Sequence, residues 1–276
     1  MPAQSEESVR ETVTVQEGRM PLQAGLPYTD SFMSGASGAT ETPVRPLRLA
    51  ILGNGRMGRE VEVAARERAI EITACLGREA LLNRDQVRAV LRDSSVAIEF
   101  TTPDAVVSHI DLCLDAQCPV VVGTTGWYKH LEDVSGRVIQ RGGALLWAPN
   151  FCLGVALMKA LCTRAGELLG GMDGFDVHLM ETHHITKKDV PSGTALVLRD
   201  TLSAAAQREV EITSIRTGHE PGRHEVWIDG LYERVSLTHE ARSRRVFADG
   251  ALRAATWLLG RKGVCTMDDV IRLEGS

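Results

Sequence analysis

The chain has 276 residues, room for one large domain or two smaller ones at roughly 150 residues each. It is 43% hydrophobic and 24% charged, an ordinary globular mixture that excludes collagen-like and wholly disordered readings. A formal charge of −5 argues against a nucleic-acid surface as the main business, and no run approaches the length of a membrane span. The opening MPAQSEESVRE lacks the basic start and apolar run of a secretory signal. It also carries Glu6, Glu7 and Glu11, acids that organelle transit peptides avoid, so a cytoplasmic location is expected. The cysteines at 75, 113, 118, 152, 162 and 265 form no C-x-x-C pair and lack the histidine spacing of a zinc site. They are expected to be reduced, mostly buried thiols, and no metal is expected.

Residues 1–46 are polar and rich in Ser, Thr, Gly and Pro, which predicts a flexible N-terminal extension with too little apolar surface to offset ordering entropy. From Leu47 the pattern changes. LRLAILG is a short, nearly continuous apolar run, suited to a strand buried on both faces of a parallel sheet. A helix is predicted from Arg56 to Ala69, then the strand EITACLG, a helix near 84–92 and the strand SVAIEFT. A helix after Pro103, the strand PVVVG, a helix through WYKHLEDVSGRVIQR and the strand GALLW follow. Such alternation predicts an α/β fold, a Rossmann-type doubly wound parallel sheet over 47–150.

After Asn150 the order changes. A helix over 154–170, the strand GFDVHLMET and a helix over 194–207 precede three strand-like pieces with no helices between them. Clustered strands predict a smaller α+β domain with an open mixed sheet, here over 151–246. The stretch FADGALRAATWLLGRKG reads as one amphipathic helix returning to the first domain, which 247–276 would complete.

Gly53-Asn54-Gly55-Arg56-Met57-Gly58 follows the first strand and opens the first helix, the context that a dinucleotide-binding G-x-G-x-x-G requires. Free amides at that helix start would face a pyrophosphate, favoured by the helix dipole. The acid that holds a ribose 2′-hydroxyl in NAD sites is absent: Gly77 stands there, followed by Arg78. An arginine without the acid favours a 2′-phosphate, so NADPH is expected, with NADH possible. Gly123-Thr124-Thr125 and Ala148-Pro149-Asn150-Phe151 fall at the ends of the fourth and fifth strands, where ligands sit in such sheets.

The run Glu181-Thr-His183-His184-Ile-Thr-Lys187-Lys188-Asp-Val-Pro-Ser192-Gly193-Thr194-Ala195 leaves a strand, crosses a polar loop and enters a helix. Free N–H groups at Ser192–Thr194 suit a carboxylate, and the Lys and His residues beside them supply cationic or proton-donating groups. Ser192 and Thr194 also suit simple capping, a use that can coexist with ligand binding. Adjacent histidines on a strand point to opposite faces and would not chelate one metal together.

With G-N-G-R-M-G-R, G-T-T-G and A-P-N-F, this run resembles the dihydrodipicolinate reductase family, also called 4-hydroxy-tetrahydrodipicolinate reductases. R-x-G-x-x-P-G-x-H from Arg216, T-H-x-A-x-S-R from Thr238 and F-A-x-G-A from Phe247 agree, so the resemblance runs from about Leu47 to Ile271. It implies NAD(P)H-dependent reduction of 4-hydroxy-tetrahydrodipicolinate in the diaminopimelate route to lysine. It also implies His183 as proton donor/acceptor, Lys187 as proton donor, and His184, Gly193 and Thr194 as substrate contacts. The implied cofactor contacts are Gly53 to Met57, Arg78, Gly123 to Thr125 and Ala148 to Phe151. A homotetramer assembled through the second sheet is implied as well. A catalytically silent nucleotide-binding protein is the competing reading, but binding alone needs no acid such as His183 or Lys187. A relative of the same fold acting on another amino or imino acid is the other alternative.

Overall fold

The computed structural model describes residues 47–271; the extension expected over 1–46 and the last five residues lie outside them. In chain order, the first region runs β1 (Arg48–Leu52), α1 (Arg56–Glu67), β2 (Glu71–Leu76), α2 (Arg78–Leu82), α3 (Arg84–Arg92), β3 (Val96–Glu99) and α4 (Val106–Asp115). It continues with β4 (Val120–Val122), a 3-10 turn at Tyr128–His130, α5 (Leu131–Gln140) and β5 (Ala144–Trp147). Next come α6 (Leu153–Leu169), β6 (Phe175–His183), α7 (Gly193–Ala206), β7 (Glu211–Arg216), β8 (Arg223–Gly230) and β9 (Arg234–Glu240). The described chain ends with α8 (Arg245–Leu258), β10 (Gly263–Cys265) and α9 (Met267–Ile271).

β1 to β5 and β10 form a parallel six-stranded sheet in the order β10-β5-β4-β3-β1-β2. Successive side chains point to opposite faces, and both faces are covered. Leu49, Ile51, Val96 and Ile98 pack under α1 and α8, while Ala50, Leu52, Ala97 and Val120 pack under α3, α4 and α5. Burial on both sides is why these strands read as unbroken apolar runs rather than alternating ones. α8 presents Ala248, Ala251, Ala254 and Ala255, small side chains that let it lie close against the sheet and α1.

The second sheet has the order β7-β6-β8-β9, with β6 and β7 parallel and the other pairs antiparallel. α6 and α7 cover one face: Val177, Leu179, Val226 and Ile228 meet Met158, Leu198 and Leu202. The period of two that buries Val177 and Leu179 carries Glu181 and His183 to the same side.

The last predicted helix needs correction. It does not run through Gly263: it ends at Leu258, the chain turns at Gly260 with φ +74°, and β10 joins the sheet beside β5. Three residues at a sheet edge carry too little periodicity to announce a strand. The five-residue α2 escapes the pattern for the same reason.

Among the described residues no helix is long and apolar enough to cross a membrane. The six cysteines are free. Burial pushes the thiols of Cys118 and Cys162 up to about 12 and about 11, which keeps them neutral.

Candidate active site

The strand order reverses between β1 and β3, and the crevice beyond their carboxyl ends is where such sheets receive ligands. Gly53 sits there with φ +105°, donating its N–H to the Leu76 carbonyl at 2.8 Å. A Cβ at this position would fall 2.1 Å from the Phe100 carbonyl oxygen, and one at Gly58 would fall 1.8 Å from that of Gly53. Only hydrogen fits at either place. Gly55 occupies the N-cap of α1, with no side-chain cap and no acid in the first turn, and open space lies where its Cβ would be. The amides of that turn have no side-chain partner, and a phosphate would complete them.

Around this turn, Asn54 lays its amide over Gly77, Arg56 starts α1 exposed, and Met57 is half-buried. Arg78 begins α2 and is exposed. At the end of β4, Gly123 donates to the Glu99 carbonyl at 2.9 Å. Thr124 accepts from the Thr101 N–H through its hydroxyl, while Thr125 is exposed. After β5, Ala148 and Phe151 are buried, and Phe151 meets Phe100 edge-on with ring centroids 6.0 Å apart. Pro149 is exposed beside them. Asn150 points toward the second region: its Oδ1 accepts from the Cys152 N–H at 2.8 Å and its Nδ2 donates to Thr194 Oγ1 at 3.1 Å.

That last bond brings the start of α7 to the strand ends of the first sheet. Ser192 caps α7 by accepting from the Ala195 N–H, and no acid stands in the first turn. Gly193 is exposed, with nothing near the place of its Cβ. The loop before it carries Lys187, whose Nζ lies 2.7 Å from both carboxylate oxygens of Asp189. Burial would raise the Asp189 carboxyl, but the Lys187 hydrogen bonds outweigh it and hold it below the usual range. Lys188 is exposed.

His183 and His184 part to opposite sides, as their strand requires. His184 shares a 2.8 Å hydrogen bond with Thr186 and lines a cavity of about 280 Å³ with Ile185, Gly218, His219 and Arg244. Arg244 lines this cavity although no role is assigned to it from the sequence. It ends a quoted motif, but its distance in the chain from His184 hides their meeting. His183 turns inward, 6% exposed, with Nδ1 at 3.3 Å from Glu181 Oε2 and its ring edge-on to His224.

Glu181 is fully buried. Burial alone would raise its carboxyl, but the facing His183 ring nitrogen and the hydrogen bonds from Ser192, Arg216 and Ser214 together hold it far below the ordinary range. His224, packed 3.3 Å from Ser192 Oγ, is pushed down to about 4, first by burial and then by repulsion from His183. It is therefore neutral at neutral pH. Glu181, His183 and His224 offer ligand atoms within 4.8 Å of one another, a grouping that spacing along the chain does not reveal. Arg216 already sits 2.8 Å from Glu181 Oε1 and supplies the positive charge that a cation would bring.

A second buried polar group also lacks a sequence signal. Glu99, at the end of β3, takes the Thr101 hydroxyl and lies 3.2 Å from His109 Nδ1. It fixes the loop that crosses under Gly53 and Gly123.

The family model for the N-terminal part of dihydrodipicolinate reductase matches residues 47–151, and the one for its C-terminal part matches 154–271. The 4-hydroxy-tetrahydrodipicolinate reductase of Thiobacillus denitrificans is 35% identical, covering 83% of this chain and 99% of that relative. That of Christiangramia forsetii is 33% identical, over 82% and 98%. Among solved structures, the dipicolinate-bound dihydrodipicolinate reductase from Paenisporosarcina sp. TG-14 superposes with a TM-score of 0.70 at 21% identity, covering 82% of this chain and all of that one. An amine dehydrogenase from Mycobacterium smegmatis shares the fold at a TM-score of 0.55. With family models spanning both sheets and relatives above 30% identity over most of its length, the chain belongs to the dihydrodipicolinate reductase family.

Proposed function

We propose that the chain reduces 4-hydroxy-tetrahydrodipicolinate to tetrahydrodipicolinate and water with a reduced nicotinamide dinucleotide, NADPH before NADH, as a step toward diaminopimelate and lysine. The single observation that carries this reading is the Asn150–Thr194 hydrogen bond, which brings a carboxylate-ready helix start to the crevice of a dinucleotide-type sheet. The names of the relatives support it. So does the dipicolinate on the Paenisporosarcina protein, a ring diacid of the kind that His184, His219 and Arg244 would attract.

When bound, the nicotinamide supplies the hydride. The protein supplies the rest. The uncapped start of α1, with Gly53, Asn54, Gly55, Arg56 and Met57, holds the pyrophosphate, and Arg78 meets a 2′-phosphate. Gly123, Thr124, Thr125 and the turn from Ala148 to Phe151 orient the reacting end. His184 and the amides of Gly193 and Thr194 fix a substrate carboxylate. Lys187, drawn from Asp189 by the anion, gives a proton as charge develops, and His183 is the proton donor/acceptor beside it. Holding both ligands in one closed crevice aligns the reacting carbons and excludes water.

The labour divides by region: 47–150, completed by 247–276, for the cofactor, and 151–246 for substrate and assembly. A homotetramer through the uncovered face of β7-β6-β8-β9 fits the half-buried Met180 and Trp227 on that face. A cytoplasmic location fits free cysteines and neutral buried thiols.

The test follows cofactor absorbance while enzymatically generated substrate is offered with NADPH or NADH. Oxidation of the cofactor is expected with both, faster with NADPH. No oxidation, or oxidation only with other imines, overturns the assignment.

A further inference from the structure

The inner end of β6 holds a buried carboxylate that the reaction as described does not use. Glu181 and His183 are two residues apart on one strand, so both point to the side covered by α6 and α7. The two oxygens of Glu181 have different surroundings. Oε1 accepts from the Ser192 N–H at 3.0 Å, the Ser214 hydroxyl at 2.7 Å and Arg216 Nη2 at 2.8 Å. Three donors on one oxygen, one of them a guanidinium, require that oxygen to be an unprotonated acceptor. Oε2 has no hydrogen bond of good geometry, and the same is true of His183 Nδ1. These two buried, unsatisfied atoms face each other at 3.3 Å. Each is the other's nearest available partner, because His224 Nε2 is farther from Oε2, at 3.8 Å, and is shared with Ser192.

We propose that Glu181 is the positioning residue that fixes the tautomer of His183: Oε2 holds a proton on Nδ1, leaving Nε2 as the ring nitrogen that exchanges a proton with the reaction. The proposal rests on the reductase reading for the role of His183. A buried acceptor facing a ring nitrogen is satisfied only if that nitrogen carries hydrogen. The other ring nitrogen is then an acceptor in the neutral imidazole, able to take or return a proton. Nε2 faces Gly222, 3.1 Å from where a Cβ on that residue would begin. Hydrogen bonds within a site of this kind often tighten only when ligand is present, which accounts for the loose alignment at 3.3 Å. Burial raises and hydrogen bonding lowers the Glu181 carboxyl, with the second winning, so the acceptor is charged.

The same residue ties the histidine to the substrate cradle. Its Oε1 anchors Ser192, the cap of α7, and Arg216 reaches from that oxygen to the Asp189 carbonyl at 2.6 Å. His183, the cap and the loop carrying Lys187 therefore share one carboxylate. No chemistry occurs on Glu181 itself: nothing is transferred to it, and it stays an anion throughout.

The replacement E181Q separates positioning from support. Its amide oxygen must face the three donors at Ser192, Ser214 and Arg216, which puts the NH₂ group opposite His183 Nδ1. Two donors cannot face each other, so Nδ1 becomes an acceptor and the proton moves to Nε2. Two readouts follow, both on the full chain. In ¹⁵N-histidine NMR, with the His183 signals assigned by their loss in H183N, the wild type is expected to show Nδ1–H and E181Q to show Nε2–H. In steady-state kinetics, kcat is expected to fall about 10²-fold in E181Q. KM stays within about threefold, NADPH affinity by fluorescence titration is unchanged, and E181D recovers part of kcat.

An Nε2–H tautomer in the wild type overturns the proposal even where E181Q does not fold. So does an E181Q protein whose KM rises while kcat and tautomer hold, the behaviour of a purely structural residue. If the wild type does not turn over the substrate, the reductase reading fails, and the tautomer still decides what Glu181 does to His183.

Discussion

The two sheets meet through the Asn150–Thr194 bond and offer opposite materials on its two sides. Around β1, β3 and β4 the site is made of backbone: glycines without room for a methyl group, an uncapped helix start and carbonyls that hold the turns in place. Around β6 and β8 it is made of side chains, with a buried glutamate, two histidines packed edge-on, an arginine and a lysine. A dinucleotide offers phosphates that any row of amides can hold, so backbone suffices for it. A reaction that moves protons needs groups that titrate, and these must be side chains. Substitutions in the first region should therefore act through shape and stability, and those in the second through charge and turnover.

The largest departure is expected at Lys187. Lys187→Ala should lower kcat by roughly 10²–10⁴ while leaving NADPH affinity, measured by fluorescence titration, nearly intact. Unchanged turnover would remove Lys187 from the chemistry and weaken the division between the two regions.

Acid should find the second region before the first. His224 has its folded value pushed from 6.5 down to about 4, so between those values the unfolded chain binds the extra proton. Stability from the neutral histidine is thus fully present above pH 6.5 and is lost as pH falls toward 4. The loss amounts to at most about 3 kcal/mol. Glu181 is also depressed, so its contribution is present above its ordinary 4.5 and fades only as pH falls below that. Denaturant midpoints measured from pH 7.5 to 4 should fall for the wild type, and the slope between 6.5 and 4.5 should flatten in His224→Gln. An equal slope in both proteins would mean that His224 takes up its proton in the folded chain as readily as in the unfolded one.

Steric substitutions sharpen the other half. Gly58→Ala forces a methyl group to within 1.8 Å of the Gly53 carbonyl oxygen, so α1 and the turn must separate. A cost of about 1–3 kcal/mol is expected, with weaker cofactor binding. Gly193→Ala, where nothing crowds the added atom, should stay within about 0.5 kcal/mol of the wild type in stability. Thermal unfolding of the two variants side by side checks the contrast.

The same division governs how much the sequence discloses. The parallel sheet is legible because burial on both faces leaves continuous apolar runs, and the glycine turn because its spacing is local. His183, His184 and Lys187 lie in one short run and are legible as a group. What binds them together is not. Arg216 and His224 reach Glu181 only through the pairing of β7 and β8 with β6, and strand register is a property of the sheet. Arg244 meets His184 across a cavity formed by segments 60 residues apart in number. β10 is silent for a simpler reason: GVC is too short to have a period.

The mildest effect on cofactor use is expected at Arg78, and it tests whether the first region uses side chains at all. Gly77 stands where a ribose-binding acid would, and the Asn54 amide fills the space above it, within 2.4 Å of where a Cβ would begin. An acid there would first have to displace Asn54, so the positive charge that this turn offers to a ribose phosphate is the exposed Arg78, with Glu79 next to it. Arg78→Ala should raise KM for NADPH about tenfold, the low end for a charge-assisted contact because the residue is exposed. NADH should be nearly unaffected, since it lacks the phosphate. The NADPH preference of the wild type should also shrink as ionic strength rises and the Debye length contracts. Equal losses with both cofactors would instead assign Arg78 to the pyrophosphate, and a preference insensitive to salt would place the discrimination in the backbone of the turn.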